Sequence, residues 1–191
     1  SLLSSLEGKD LVDKEKYRSV IENRDDLQRT ARRIQALHKE RAEHRANILK
    51  IENSIESLMP WLPLNVPVAF GGTEHIVMLP GTLPGQLTLE QVYAALAERA
   101  PELETDIHII STEQDTIYLA VFCLRRDAEA AEEALRSMGF ARPSQVTDQV
   151  PAEAQADMEK EISEIDSRVA EIEKEITSLA VHREGLKLLA D

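Results

Sequence analysis

Cysteine is almost missing from this chain. Its one thiol, Cys123, leaves no second cysteine for an intrachain disulfide and cannot build a zinc site alone, so a reducing compartment fits. Aromatic residues make up only 4% of the chain while charged residues make up 30%, a balance that suits long solvated helices better than a compact enzyme. Positive charge is also short. With 22 Lys and Arg against 35 Asp and Glu, the net charge of −13 argues against nucleic acid, whose phosphates need a positive field, and favours a basic partner. No apolar run approaches the roughly 20 residues that span a bilayer. The opening "SLLSSLEGKD" is too short and too polar to be expected as a signal peptide. Residues 1–12 are expected to form a poorly ordered leader, and a chain that starts with Ser is expected to be a piece of something larger.

Proline and glycine are absent from residues 13–59, and that stretch carries a heptad pattern. Val20, Leu27, Ile34, Arg41, Ile48 and Ile55 recur every seven residues, interleaved with Asn23, Thr30, Leu37, His44, Ile51 and Leu58. A second seam lies in residues 152–191, where Met158, Ile162, Ile165, Val169, Ile172, Ile176 and Leu179 alternate spacings of four and three. Such narrow seams are the signature of coiled coils and need a partner. The two arms differ in charge. Residues 13–59 hold eleven Lys/Arg and nine Asp/Glu, net +2, whereas residues 152–191 hold five and eleven, net −6. Opposite signs favour pairing of one arm with the other, antiparallel within one chain, over pairing with a second copy. The expected register sets Ile55 beside Ile162, Ile48 beside Val169, Arg41 beside Ile176 and Ile34 beside Arg183. Arg41, His44 and Arg183 then interrupt the dry seam, and are expected to be its softest points.

Between the arms, residues 60–151 change period. Three prolines and two glycines in "MPWLPLNVPVAFGGT" must stop the first helix. "HIVMLP" alternates as a strand, and "TLEQVYAALAERA" is a helix with a Thr88–Gln91 capping box. "TDIHIIS" and "TIYLAVFCLR" are strands joined by the turn Thr112–Asp115. "DAEAAEEALRSMGF" is a helix opened by Asp127 and stopped by Gly139, and "ARPSQV" is a fourth extended piece. The predicted fold class is therefore α+β: a long antiparallel two-helix coiled coil capped by a ferredoxin-like β-α-β-β-α-β lobe with a four-stranded sheet.

Both faces of that sheet read as apolar, and two helices can cover only one. The second face is expected to carry Val77, Leu79, His108, Ile110, Tyr118, Ala120, Phe122 and Leu124. Two readings compete for it. An uncovered apolar face marks a binding surface; alternatively the entry segment, with Trp61, Leu64, Val66, Val68 and Phe70, folds over it. Acidic residues cluster nearby at Glu98, Glu102, Glu104 and Asp106, and residues 60–151 hold five Arg against thirteen acids, net −8. Such acids usually form a solvated face; the functional alternative is a dock for a basic helical partner. The candidate partner-binding set is Val77, Leu79, Glu102, Glu104, His108, Ile110, Tyr118 and Phe122.

Chemistry is hard to find. The sequence has no P-loop, GxGxxG, HExxH, nucleophile elbow or CxxC. His38 and His44 sit on different helix faces, and His182 approaching His38 would still leave a metal site short of ligands. Glu113 and Asp115 lack the Gly and bidentate Glu of a calcium loop. No catalytic residue, cofactor or metal is assigned, and Cys123 reads as a core thiol.

The passages "LMPWLPLNVP" and "HIVMLPGTLPG…LTLEQVYAAL", the "G-x-L-P" turn at Gly81–Pro84, the strands "DIHIIS" and "TIYLAVFCL" and the helix ending in "LRSMGF" together resemble subunit I. This is the subunit a counterpart of rotary V-type/A-type ATPases, and the likeness is to the distal lobe and coiled-coil arms of its soluble N-terminal region. The resemblance implies a non-catalytic stator at the cytoplasmic face of the membrane. It further implies as partners the peripheral-stalk subunits (a helical heterodimer), the membrane half of the parent chain and the rotor ring, with no nucleic acid and no membrane insertion by these residues. The family's proximal lobe, membrane half and transmembrane arginine have no counterpart here. Two other classes compete. A coiled-coil hinge of chromosome-maintenance type fits the acidic lobe badly, and a ferredoxin-like ligand-sensing adaptor would reveal itself by ligand-induced stabilisation. An enzyme ranks last.

Overall fold

A computed structural model describes residues 2–190, and they fall into two units, residues 2–49 with 162–190, and Lys50–Glu161. The elements in chain order are α1 (Leu2–Leu58), β1 (Ile76–Pro84), α2 (Leu89–Arg99), β2 (Thr105–Glu113), β3 (Thr116–Leu124), α3 (Ala128–Ser137) and α4 (Pro151–Ala190), with single 3₁₀ turns at Met59–Trp61 and Arg125–Asp127. The class is α+β. Helix α1 starts at Leu2, so residues 2–12, expected as a disordered leader, are helical and exposed. Nothing there stops a helix except Gly8, which costs only about 1 kcal/mol relative to Ala.

In the first unit α1 and α4 run antiparallel, joined by a ladder of charges. Asp26 meets His182 at 3.1 Å, Arg33 grips Glu175 with two N–H donors at 3.0 and 3.3 Å, and Arg168 reaches both oxygens of Glu40 at 3.0–3.3 Å. These pairs recur every seven residues along one flank. On the other flank Arg45 donates to Glu173 at 2.8 Å, and nearer the helix ends the Asn23 side chain donates to the Leu186 carbonyl at 3.2 Å. Between the flanks lies an apolar stripe in which Leu37 and Ile172 are fully buried, while Ile34, Ile48, Ile162, Ile165, Val169, Ile176 and Leu179 are half-buried.

The ladder corrects the expected register by about one helical turn. Placed between Arg33–Glu175 and Arg45–Glu173, Leu37 lies level with Ile176, Ile34 with Leu179, and Arg41 with Ile172. The expected pairing matched identical heptad positions. Antiparallel helices instead interleave the two kinds of core position, and the flanking charges choose among the registers that satisfy this. The histidines also part from expectation: His182 faces Asp26, while His38 Nδ1 lies 2.8 Å from Arg41 of its own helix. The Arg168 guanidinium, with a smaller contribution from His44, holds the Glu40 carboxyl below its ordinary range.

In the second unit the sheet has the order β1-β3-β2, all antiparallel. Helix α2 opens on the capping box, with Gln91 N–H donating to Thr88 Oγ1 at 3.2 Å and Thr88 N–H donating to Gln91 Oε1 at 2.9 Å. Asp127 does not cap α3; its backbone is helical and its side chain makes no cap hydrogen bond, because the Arg125–Asp127 turn already leads the chain in. The core joins Val77, Leu79 and Leu83 of β1, Ile107 of β2 and Ile117, Leu119, Val121 and Cys123 of β3 to Val92 and Leu96 of α2 and Ala131 and Leu135 of α3. Each buried Val, Leu or Ile contributes roughly 1.5–3 kcal/mol.

The predicted fourth strand shrinks to one bridge. Thr82 and Ala141 exchange two backbone hydrogen bonds, of 2.8 and 3.0 Å, and Pro143, with no N–H, comes two residues later. It lies beside β1, on the position a fourth strand of this fold would take. Two glycines make the bridge possible. Gly139 turns the chain out of α3 at φ +93°, and Gly81 has no side chain where Phe140 crosses the strand, so any Cβ there would overlap the ring. Helix α3 and the bridge segment are tied by Glu132, whose carboxylate accepts from Arg142 at 2.6 and 2.8 Å and from Arg136 at 3.0 Å. The Arg142 contact holds the Glu132 carboxyl below the ordinary carboxylate range. A depressed carboxylate stabilises the fold above its unfolded value and loses that contribution as pH falls through the folded one. Acid titration from pH 5 downward should therefore destabilise the native chain more than Glu132→Gln, by about 0.2–1 kcal/mol in the unfolding free energy from denaturant curves.

Candidate partner-binding face

The site begins with the alternation of β3. Ile117, Leu119, Val121 and Cys123 face the helices, leaving Tyr118, Ala120, Phe122 and Leu124 on the second face. Antiparallel pairing sets Val77 opposite Cys123 and Leu79 opposite Val121, and residues directly opposite share a face. Val77 and Leu79 therefore belong to the covered core, and their assignment to the partner-binding set is corrected. A one-residue error of phase in β1 produces this, because Val77 and Met78 are equally apolar.

Half of the second face is closed by the entry segment. Trp61 stands edge-on to Tyr118, with ring centroids 5.5 Å apart and planes at 90°. Around this pair Leu58, Leu64, Val68 and Ala154 form a second buried cluster, with Val66, Ile110, Tyr118 and Met158 packed against it. The Ser111 hydroxyl donates to the Pro60 carbonyl at 2.6 Å, and Met78 N–H donates to Gly71 at 3.3 Å. Ile110 and Tyr118 are thus occupied within the unit. Leu58, Ala154 and Met158 draw the adjoining ends of α1 and α4 into the second unit, so its border falls near residues 50 and 161 instead of 60 and 151.

The other half stays open. His108 stands edge-on to Phe122 at 5.5 Å and lies 2.9 Å from an Asp106 oxygen. Ile76, Glu104, Thr105, Asp106, Phe122, Cys123 and Leu124 line an open hollow of about 460 Å³ beside them. Glu102 and Glu104 are exposed on the turn leading into β2. Of the expected set, the structure brings together His108, Phe122 and Glu104, with Glu102 nearby in sequence. Ile76, Asp106 and Leu124 border the same hollow and were outside the set, although β3 phase and the Asp106–His108 spacing on one strand face would have found the last two. The outer edge of β2 is partly closed, because Tyr93 Oη accepts from Ile107 N–H at 2.7 Å, which removes one donor from the exposed edge.

This face has the chemistry of contact. Burial pushes the Cys123 thiol above its ordinary value, which disfavours the reactive thiolate. Among the described residues no group of three or more His, Cys, Asp or Glu is placed to hold a metal ion, and no helix is long and apolar enough to cross a membrane.

A paired-helix unit and a three-stranded lobe backed by two helices define the class: an α+β coiled-coil protein. Among solved structures, this fold is similar to the crystal structure of the cytoplasmic N-terminal domain of subunit I, homolog of subunit a, of V-ATPase, with a TM-score of 0.52 and 21% identity over 82% of this chain. This chain spans about half of that one, 52% of its length, and at this identity the likeness is one of fold. No family model and no curated protein matches the sequence.

Proposed function

We propose that this chain is a non-catalytic stator element of a rotary V-type/A-type ATPase, corresponding to the distal lobe and coiled-coil arms of subunit I. The observation that carries the reading is the fold likeness over 82% of the chain to the subunit I domain. In this role it works at the cytoplasmic face of the membrane and links the peripheral stalk to the ion-translocating sector, so that rotor torque does not turn the catalytic head. Its partners are the helical heterodimer of the stalk and, through the parent chain, the membrane half and rotor ring. The paired helices supply stiffness. The open half of the sheet face supplies the contact: an apolar centre at Phe122 and Leu124 with Glu102, Glu104 and Asp106 around it, suited to a basic amphipathic helix.

The test is a pull-down with the purified stalk heterodimer. Glu102→Lys with Glu104→Lys should lower the association rate and steepen its loss at low salt, and Phe122→Asp should weaken binding by tenfold or more. Full binding by variants with native circular dichroism would remove this surface from the reading.

A further inference from the structure

We infer that the charge ladder between α1 and α4 is a register code that holds the two helices against sliding. The signs alternate along each helix. On α1 they run Asp26, Arg33, Glu40, and the residues facing them on α4 run His182, Glu175, Arg168. In the observed register every pair is complementary when His182 is protonated. Sliding α4 by one heptad restores the apolar layers, and the hydrophobic seam alone does not forbid it. The charges do forbid it. A slip in one direction sets Asp26 against Glu175 and Arg33 against Arg168; a slip in the other sets Glu40 against Glu175 and Arg33 against His182.

A slip of one turn is blocked differently. In one direction it places Asp26, Arg33 and Glu40 level with Leu186, Leu179 and Ile172, and all three rungs are lost; in the other it places them level with Ser178, Glu171 and Glu164, which keeps one attractive rung and sets Glu40 against a like charge. Arg45 on the other flank does not discriminate as well, because Asp166 would replace Glu173 after one heptad slip. Discrimination therefore lies with the alternating flank. Asn23 adds a polar tie to the Leu186 carbonyl at 3.2 Å. Each exposed pair adds little stability by itself. Their worth lies in the difference between registers, since a slip turns attraction into repulsion at successive rungs. Helices so coded carry load along their length without shear, whereas a coil that signals by sliding needs two registers of similar energy. The inference concerns the coil alone and stands whether or not the stator reading does.

Register is read by cross-linking in a Cys123→Ala background with a short bis-maleimide. Cysteines at exposed His38 and Ala180 report the observed register, and cysteines at His38 and Lys187 or at His38 and Glu173 report the two heptad slips. In the otherwise native chain the first pair should link and the other two should not. Inverting one side, with Asp26→Lys, Arg33→Glu and Glu40→Arg, should cut the native cross-link at least fivefold. Inverting the other side as well, with His182→Glu, Glu175→Arg and Arg168→Glu, should restore it. Unchanged cross-linking after the first inversion would overturn the code. If the first inversion unfolds the coil, failure of the chain carrying all six substitutions to regain both helicity and the native cross-link would overturn it equally.

Discussion

Trp61→Ala is expected to lower the stability of the lobe by about 3–5 kcal/mol, the range for emptying a buried Trp site. Trp61 is buried at the centre of the second cluster, between the ends of the long helices and the sheet. Its loss removes the edge partner of Tyr118 and opens a void among Leu58, Leu64 and Val68. Since Trp61 is the one tryptophan of the chain, unfolding in urea should be followed by far-ultraviolet circular dichroism. Trp61→Phe should retain most of the stability by keeping a ring against Tyr118. Binding of a hydrophobic dye should rise in the Ala variant as Tyr118 and Ile110 become exposed. A loss below about 1 kcal/mol would show that the entry segment lies on the sheet without holding it, because surface substitutions seldom exceed about 0.5 kcal/mol.

Leu37→Ala should cost the paired helices about 2–5 kcal/mol, with the lower half favoured because a two-helix seam relaxes more easily than a closed core. Leu37 is fully buried, and Leu49 on the same helix is 61% exposed. Leu49→Ala is therefore the matched control, with an expected change within about 0.5 kcal/mol. Hydrogen exchange gives the spatial readout. Amides of α1 and α4 around residues 34–41 and 172–179 should lose protection in the Leu37 variant, while β3 amides at Leu119 and Val121 should keep theirs. Equal loss in both places would mean that the two units unfold as one cooperative body, contrary to their separate cores.

Several elements are legible in the sequence alone, for reasons tied to particular residues. The capping box at Thr88 and Gln91 is a local device, complete within four residues, and it forms as written. The α+β class followed from a heptad period giving way to alternation at Pro60 and returning at Pro151. What failed were questions of phase and reach. Val77 and Leu79 lie on the face opposite to the expected one because β1 is apolar at consecutive positions, so only pairing with β3 sets its phase. The fourth strand was overestimated because Ala141 pairs once and then meets a chain without a usable donor at Pro143. Asp127 looked like a cap, yet a cap depends on backbone angles that the residue type does not dictate.

By itself the sequence determined that two long helices with narrow apolar seams flank an acidic lobe of strands and helices. Spacing and sign of charge are properties of a chain, readable wherever contacts are local or periodic. Only the tertiary structure decided which rung of one helix meets which rung of the other, and which half of the second sheet face stays open. Both depend on pairs distant in sequence, Arg33 with Glu175 and Trp61 with Tyr118, whose geometry no local pattern encodes. Apolar seams and sheet faces accept several alignments at similar cost, so the choice falls to a few specific side chains that meet only when the chain has folded.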